Sequence, residues 1–152
     1  MTNLLTEEHR SWIGRESEPV AVDVSRRDIV KYSIATEQVL DKYRNGDEAP
    51  PMFVFNLFGE LRPVADMRAD GLPRGRSGGP RLPLQRVMAG GTELILHRAI
   101  RPGDRLTGTQ SIVDMYEKQG SQGPLIFTVR SLRVVDVDGE PVFEEIQTSI
   151  AR

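Results

Sequence analysis

Histidine and cysteine, the side chains that most often serve as bases, nucleophiles and metal ligands near neutral pH, are scarce in this sequence. The chain of 152 residues has two histidines, His9 and His97, and no cysteine. His97 falls in a strand-like stretch, and no acidic residue stands at a spacing that would orient its ring, so a structural role is the simpler interpretation. Disulfides and thiolate zinc sites are excluded, and no metal-ligand, P-loop or dinucleotide motif is found.

Residues 70–83 carry the other groups to which chemistry can be assigned. This segment holds four glycines, three prolines and three arginines, a composition that predicts a mobile loop. Guanidinium groups suit phosphate oxygens, so Arg74, Arg76 and Arg81 are candidate phosphate ligands, and a solvated connecting loop is the alternative. Residues 75–79 match the pattern G-x-S-x-G, but prolines flank them where a nucleophile elbow needs a strand and a helix.

The composition excludes several classes of function. The chain is 38% hydrophobic and 28% charged, with a formal net charge of -2, so it lacks the basic balance on which nucleic-acid binding depends. Its longest apolar run, residues 52–58, is too short for a membrane span, which needs about 20 residues. We therefore expect a single domain over residues 1–152, located in the cytoplasm, with neither a nucleic-acid nor a membrane partner.

The elements that must position these residues differ between the two halves of the chain. The first half is predicted to contain a short helix capped by Thr6, a strand over residues 19–24 and a helix from Ser25 to about Lys42. Pro50 and Pro51 then precede the apolar residues 52–58, which leave a helix no polar side. A helix that is apolar all round is predicted to be surrounded by protein.

The second half is predicted to be a sheet. Four runs with alternating apolar residues are expected as strands at residues 84–100, 105–117, 125–137 and 141–150. Residues 101–104 have proline and glycine in the positions of a type II turn, and Asp138-Gly139 is a hairpin signal. We expect these strands to be antiparallel neighbours, which gives an α+β fold with a curled antiparallel sheet around the buried helix.

Several stretches, taken in order, resemble the MaoC-like dehydratases, and more narrowly their N-terminal, FAS1-like dehydratase half. They are Trp12-Ile13-Gly14, residues 25–32, the Pro-Pro-Met-Phe that opens the buried helix, residues 97–106, residues 113–118 and Asp138-Gly139. The resemblance covers almost the whole chain. It implies the hotdog fold, in which a curled antiparallel sheet wraps a long helix.

The sequence departs from the active members of this superfamily at their catalytic pair. Active MaoC-like hydratases carry an Asp followed five positions later by a His, and the pair activates the water that is added to the thioester. No Asp of this chain has a His five positions later. The resemblance therefore implies a non-catalytic half that pairs with a catalytic MaoC-like partner subunit. It also implies a homo- or hetero-oligomer.

The resemblance assigns site residues as well. The residues implied to line the acyl tunnel are Phe53, Asn56 and Leu57, and the guanidinium groups of Arg74, Arg76 and Arg81 would then meet the phosphates of coenzyme A or of an acyl-carrier arm. Ordinary core packing is the alternative for the apolar members. Asn56 must find a hydrogen-bond partner among its apolar neighbours, either in the backbone or in a ligand. The thioester carrier is the substrate's own, and no cofactor or metal is implied.

The function implied is the acyl-chain-binding subunit of a heteromeric (R)-specific enoyl-thioester hydratase or 3-hydroxyacyl-thioester dehydratase, a lyase of lipid metabolism. Two alternatives stay open. One is a homodimeric hotdog thioesterase or hydratase that uses Glu60, Asp66 or His97 as its own base. The other is a module that binds acyl thioesters without turnover.

Overall fold

The computed structural model describes residues 3–55, 57–59, 61–69, 71, 74 and 78–152. Its centre is an antiparallel sheet of five strands: β1 (Val20–Asp23), β2 (Val87–Leu96), β3 (Arg105–Gly120), β4 (Gly123–Val135) and β5 (Pro141–Ala151). Their order across the sheet is β1-β3-β4-β5-β2, so β1 and β2 form opposite edges. The curled antiparallel sheet predicted from the second half of the sequence is confirmed.

The three central strands form two hairpins. β3 pairs with β4 over nearly its whole length, and β4 pairs with β5. The loop between β4 and β5 is closed by Asp136, whose Oδ1 accepts the N–H groups of Asp138 and Glu140 at 3.0 Å each. Gly139 takes a φ of 81°, a left-handed conformation that glycine adopts without strain. The hairpin predicted at Asp138-Gly139 is therefore present.

β2 does not pair with β3, and the expectation that these consecutive strands are neighbours is wrong. β2 pairs with β5 at the far edge of the sheet. The turn at residues 101–104 is engaged elsewhere, because the N–H of Gly103 donates to the Val24 carbonyl and the Asp104 carbonyl accepts the N–H of Val24, both at 2.8 Å. These two bonds hold the turn against the end of β1. Between β2 and β3 the chain therefore crosses from one edge of the sheet to its interior.

Three short α-helices precede the sheet's long strands: α1 (Glu7–Arg10), α2 (Arg26–Ala35) and α3 (Asp41–Arg44). Thr6 caps α1 and Ser25 caps α2, as predicted. α2 ends seven residues earlier than the predicted end at Lys42. The reason is the backbone of Glu37, which has a φ of 52° and cannot continue a right-handed helix.

The long buried helix predicted after Pro50 is not formed in the described residues. Among the described residues between Pro50 and Gly59, only Pro51–Val54 is helical, as one turn of 3₁₀ helix that ends at Phe55 in an extended conformation. Phe53 and Val54 are buried, whereas Met52 and Phe55 are exposed. A short apolar run does not by itself distinguish helix from other buried structure, and its Phe and Val residues are weak helix formers.

One face of the sheet, called the inner face below, packs against the helices in two apolar clusters. The first joins α2 and the 3₁₀ turn to the sheet, and its most buried members are Ile29, Leu106, Val134, Val142 and Phe143. The second joins the N-terminal residues to Met115 and Ile126 through Leu5 and Trp12. Among the described residues, no helix has the length and apolarity required to cross a membrane.

Candidate binding groove

A groove of about 620 Å³ opens beside the edge strand β1, between the sheet and residues 57–59 and 61. Small-molecule sites have volumes of about 300–1,000 Å³, so this groove is large enough for a ligand. Its described lining residues are Ser17, Glu18, Val20, Val22, Leu57, Phe58, Gly59, Leu61, Gly78, Gly108, Gln110 and Leu132.

The shape of the groove depends on Gly108 in β3. An ideal Cβ at Gly108 would lie 2.7 Å from Cδ1 and Cε1 of Phe58 and 3.1 Å from a methyl group of Leu132. Only glycine therefore lets the Phe58 ring approach the sheet this closely. The ring also lies 6.2 Å from that of Phe143, measured between centroids. A glycine inside a strand is a sequence signal of such a close approach, and Gly108 was missed as a site residue.

The mouth of the groove is held by hydrogen bonds between the N-terminal segment and β3. The N–H of Ser17 donates to the Gln110 carbonyl at 2.8 Å, and the N–H of Gln110 donates to Oγ of Ser17 at 3.0 Å. The Ser17 hydroxyl in turn donates to the Glu18 carbonyl at 3.0 Å. These bonds fix the backbone of one wall, so the groove is preformed at this side.

The walls of the groove are suited to binding an apolar group. Val20, Val22, Leu57, Phe58 and Leu132 provide aliphatic and aromatic walls. Glu18 is the one titratable side chain among the described lining residues, and no imidazole is among them. No group of His, Asp and Glu residues that could hold a metal ion occurs in the described part of the chain. Burial of an alkyl chain here is favourable by about 0.8 kcal/mol per CH₂ group.

The predicted tunnel residues lie in different surroundings. Leu57 lines the groove. Phe53 is buried in the first apolar cluster, with its ring edge-on to Tyr32 at a centroid distance of 5.6 Å, and is not among the lining residues. Asn56 lies outside the described residues. A substrate-binding role for Phe53, Asn56 and Leu57 stays a prediction.

Neither Arg74 nor Arg81 of the 70–83 loop is among the described lining residues of the groove, although Gly78 of the same loop is. Arg74 Nε donates to the Met67 carbonyl at 2.9 Å, and the Arg74 N–H donates to the Asp66 carbonyl at 2.7 Å. Arg81 is exposed, while its carbonyl lies near the His9 ring. Arg76 lies outside the described residues. Phosphate binding by the three arginines, and mobility of the loop, stay predictions.

The candidate bases of the alternative functions do not meet in the described residues. His97 lies just beyond the end of β2, not inside the strand as the alternation suggested, and its side chain is exposed. Asp66 is exposed in a second turn of 3₁₀ helix, Val64–Asp66, and not on a long helix. Glu60 lies outside the described residues.

One carboxyl group on the inner face was missed in the sequence. Glu145 of β5 stands directly opposite Leu132 on one neighbouring strand and Leu94 on the other, so all three side chains lie on the inner face. Leu132 and Leu94 both belong to the first apolar cluster or pack against it. Burial raises the pKa of Glu145 above its ordinary value of 4.5. The alternation of β5 gave no signal for it, because the residues that share its face in the sequence include the polar Gln147 and Ser149.

Solved structures with the same fold are known from several bacteria. The HadBC complex of Mycobacterium tuberculosis, a 3R-hydroxyacyl-ACP dehydratase, aligns with a TM-score of 0.67 and 17% identity, over 92% of this chain and 97% of that chain. The ChsH1-ChsH2 complex of the same organism aligns with a TM-score of 0.62 and 19% identity, over 90% and 83%. The R-hydratase PhaJ1 of Pseudomonas aeruginosa aligns with a TM-score of 0.60 and 16% identity, over 91% and 81%. At these identities the likeness establishes the hotdog fold.

No curated protein sequence matches the chain. The family model of the FAS1-like, dehydratase domain region matches residues 11–145. This span includes β1 to β4 in full and the start of β5, and therefore both described walls of the groove formed by β1 and β3 and the hairpin at Asp138-Gly139. The chain therefore belongs to the FAS1-like dehydratase domain family, within the hotdog fold.

Proposed function

We propose that this chain is the non-catalytic, acyl-chain-binding subunit of a heteromeric (R)-specific enoyl-thioester hydratase or 3-hydroxyacyl-thioester dehydratase. The observation that carries the proposal is a preformed groove with apolar walls and no imidazole among its described lining residues. The groove accepts the acyl group, as a thioester of coenzyme A or of a carrier protein. The Asp and His that activate water belong to the partner subunit.

Two of the structural neighbours support a split organisation. HadBC and ChsH1-ChsH2 are both described as complexes, and this chain covers 97% and 83% of the aligned chains. The sequence also lacks an Asp followed five positions later by a His, which supports the same organisation. General acid–base catalysis contributes about 10²–10⁴-fold to a rate, so a chain without such a pair is expected to lose that contribution. A subunit without these groups needs a partner that supplies them.

The proposal is tested by reconstitution. The purified chain alone is expected to hydrate crotonyl-coenzyme A no faster than background. Addition of a short MaoC-like protein that carries the Asp and His should produce turnover of longer enoyl-thioesters. Robust turnover by the isolated chain would contradict the proposal, and thioester binding without turnover in any mixture would favour a binding module.

The role of the groove is tested with a matched pair of variants in β1. Val20 lines the groove and is 50% exposed, so Val20→Trp fills the groove without disturbing the core. Ala21 is also exposed but lies on the other side of the strand, which makes Ala21→Trp the control. Val20→Trp should abolish binding of decanoyl-coenzyme A in calorimetry, and Ala21→Trp should leave it unchanged. Equal binding by both variants would contradict the binding of the acyl group in this groove.

A second candidate function is a homodimeric hydratase or thioesterase with its own acidic base. It is favoured by the position of Glu145 on the inner face, where burial raises its pKa. Catalytic bases are often carboxyl groups with raised pKa values. Turnover by the isolated chain that disappears in Glu145→Gln would establish this second function.

A further inference from the structure

A second groove, of about 690 Å³, lies at the other end of the sheet, where the tip of the β3–β4 hairpin meets the ends of β2 and β5. It will be called the arginine groove. Met88 and Ile150 stand opposite each other in its wall, next to Leu125. Arg86 and Arg152 also line it, and no acidic residue is among its described lining residues.

The two arginines are direct cross-strand neighbours. The N–H of Arg86 donates to the Arg152 carbonyl at 3.1 Å, and the N–H of Arg152 donates to the Arg86 carbonyl at 2.8 Å. Residues that exchange both bonds in an antiparallel pair stand directly opposite each other, with their side chains on the same face of the sheet. Since Ala151 is buried on the inner face, alternation puts both guanidinium groups on the outer face.

This pairing is unfavourable in the isolated chain. Like charges directly opposite each other in a sheet destabilise it, and neither arginine forms an ion pair with a described residue. Because the whole chain has a net charge of -2, this concentration of positive charge is a local feature and does not reflect the composition.

From this juxtaposition we infer that the arginine groove is a binding site for an amphiphilic oxyanion, a phosphate or carboxylate attached to an aliphatic body. The two guanidinium groups hold the oxyanion in charge-assisted hydrogen bonds, and an anion between them removes their repulsion. Met88, Ile150 and Leu125 cover the aliphatic part. The site lies on the outer face and is separate from the groove beside β1, so it does not rest on the proposed function.

Binding is tested by calorimetry with octyl phosphate as the probe, beside inorganic phosphate and the neutral octyl glucoside. Octyl phosphate should bind most tightly, and Arg86→Gln or Arg152→Gln should weaken it about tenfold, as expected for the loss of one charged hydrogen bond. Arg27→Gln, which removes an exposed charge from α2, is the control and should leave the affinity unchanged. Equal affinity for octyl glucoside, or for inorganic phosphate, would overturn the inference.

A stability measurement tests the repulsion without any ligand. Arg152→Glu replaces the like-charge pair with an opposite-charge pair, so its melting temperature should rise by about 1–4 °C. The same variant should lose octyl phosphate binding. Arg27→Gln, which removes an exposed charge without adding a carboxylate to the first turn of α2, serves as the control and should show neither change. A melting temperature that is unchanged or lower in Arg152→Glu would mean that there is no repulsion to relieve, and the inference would fail.

Discussion

The Nε2 atom of His9 lies 3.0 Å from the carbonyl oxygen of Arg81, 72 residues further along the chain. On the other side of the ring, Nδ1 accepts the N–H of Thr6 at 3.0 Å. Since Nδ1 acts as an acceptor, the ring proton must be on Nε2, from which it is donated to Arg81. One of the two histidines is thus engaged on both nitrogens in joining α1 to the end of the 70–83 loop.

Replacement of His9 should affect stability and not activity. His9→Ala removes a helix cap and the bond to Arg81, so the free energy of unfolding should fall by about 1–2 kcal/mol in denaturant titrations. The reconstituted hydratase should keep its rate below the new melting temperature. His97→Ala is the control, since this exposed side chain should leave both properties unchanged. A lost rate with unchanged stability in His9→Ala would assign His9 to the chemistry.

Substitution of Gly108 should distort the groove beside β1. In Gly108→Val the new side chain overlaps the Phe58 ring, so we expect a loss of about 1–3 kcal/mol in stability from overpacking. Binding of decanoyl-coenzyme A should weaken at the same time. Gly91 of β2 has no heavy atom within 4 Å of an added Cβ, which makes Gly91→Val the matched control. Wild-type stability and binding in Gly108→Val would show that Phe58 moves away without consequence.

Glu145 should make stability depend on pH in a defined direction. Burial raises its pKa in the folded state, so the folded protein holds the proton more tightly than the unfolded chain does. The stabilising contribution is complete below the unfolded pKa near 4.5 and is lost as the pH rises through the folded pKa. Glu145→Gln should therefore melt at a higher temperature than wild type at pH 7 and at a similar temperature at pH 3.

The control for this pH dependence is Glu93→Gln. Glu93 is an exposed carboxyl on the neighbouring strand β2, where water remains in contact with the charge. Its replacement should leave the melting temperature nearly unchanged at both pH values. A stabilising effect of Glu145→Gln that is equal at pH 3 and pH 7 would count against a desolvated carboxylate.

The exposed edge at β2 should bring two sheets together. Its Ile95 and Leu96 are 37% and 41% exposed, and an unpaired edge strand presents free N–H and carbonyl groups to another chain. We expect wild-type protein to associate in sedimentation equilibrium, and the double variant Ile95→Lys/Leu96→Lys to be monomeric. Val137→Lys, at an exposed position between β4 and β5, is the control. A wild-type monomer at every concentration would contradict this expectation.

Local signals in the sequence predicted most elements and part of the site. The caps at Thr6 and Ser25 and the hairpin at Asp138-Gly139 lie where they were predicted, because each depends on a few neighbouring residues. The apolar run at residues 52–58 was interpreted wrongly as a long helix. Its pattern indicates burial, but whether a buried run is helical depends on what packs against it.

The sequence by itself determined the alternation of the strands, the positions of their turns and the absence of an Asp–His pair at catalytic spacing. These properties depend on residue type and on separations of a few residues. Only the tertiary structure decided that β2 pairs with β5, that Phe58 packs on Gly108 and that Arg86 faces Arg152. These contacts join residues that are distant in the chain. The backbone N–H and carbonyl groups of a strand can pair with those of any other strand, so burial and register decide which strand lies beside it.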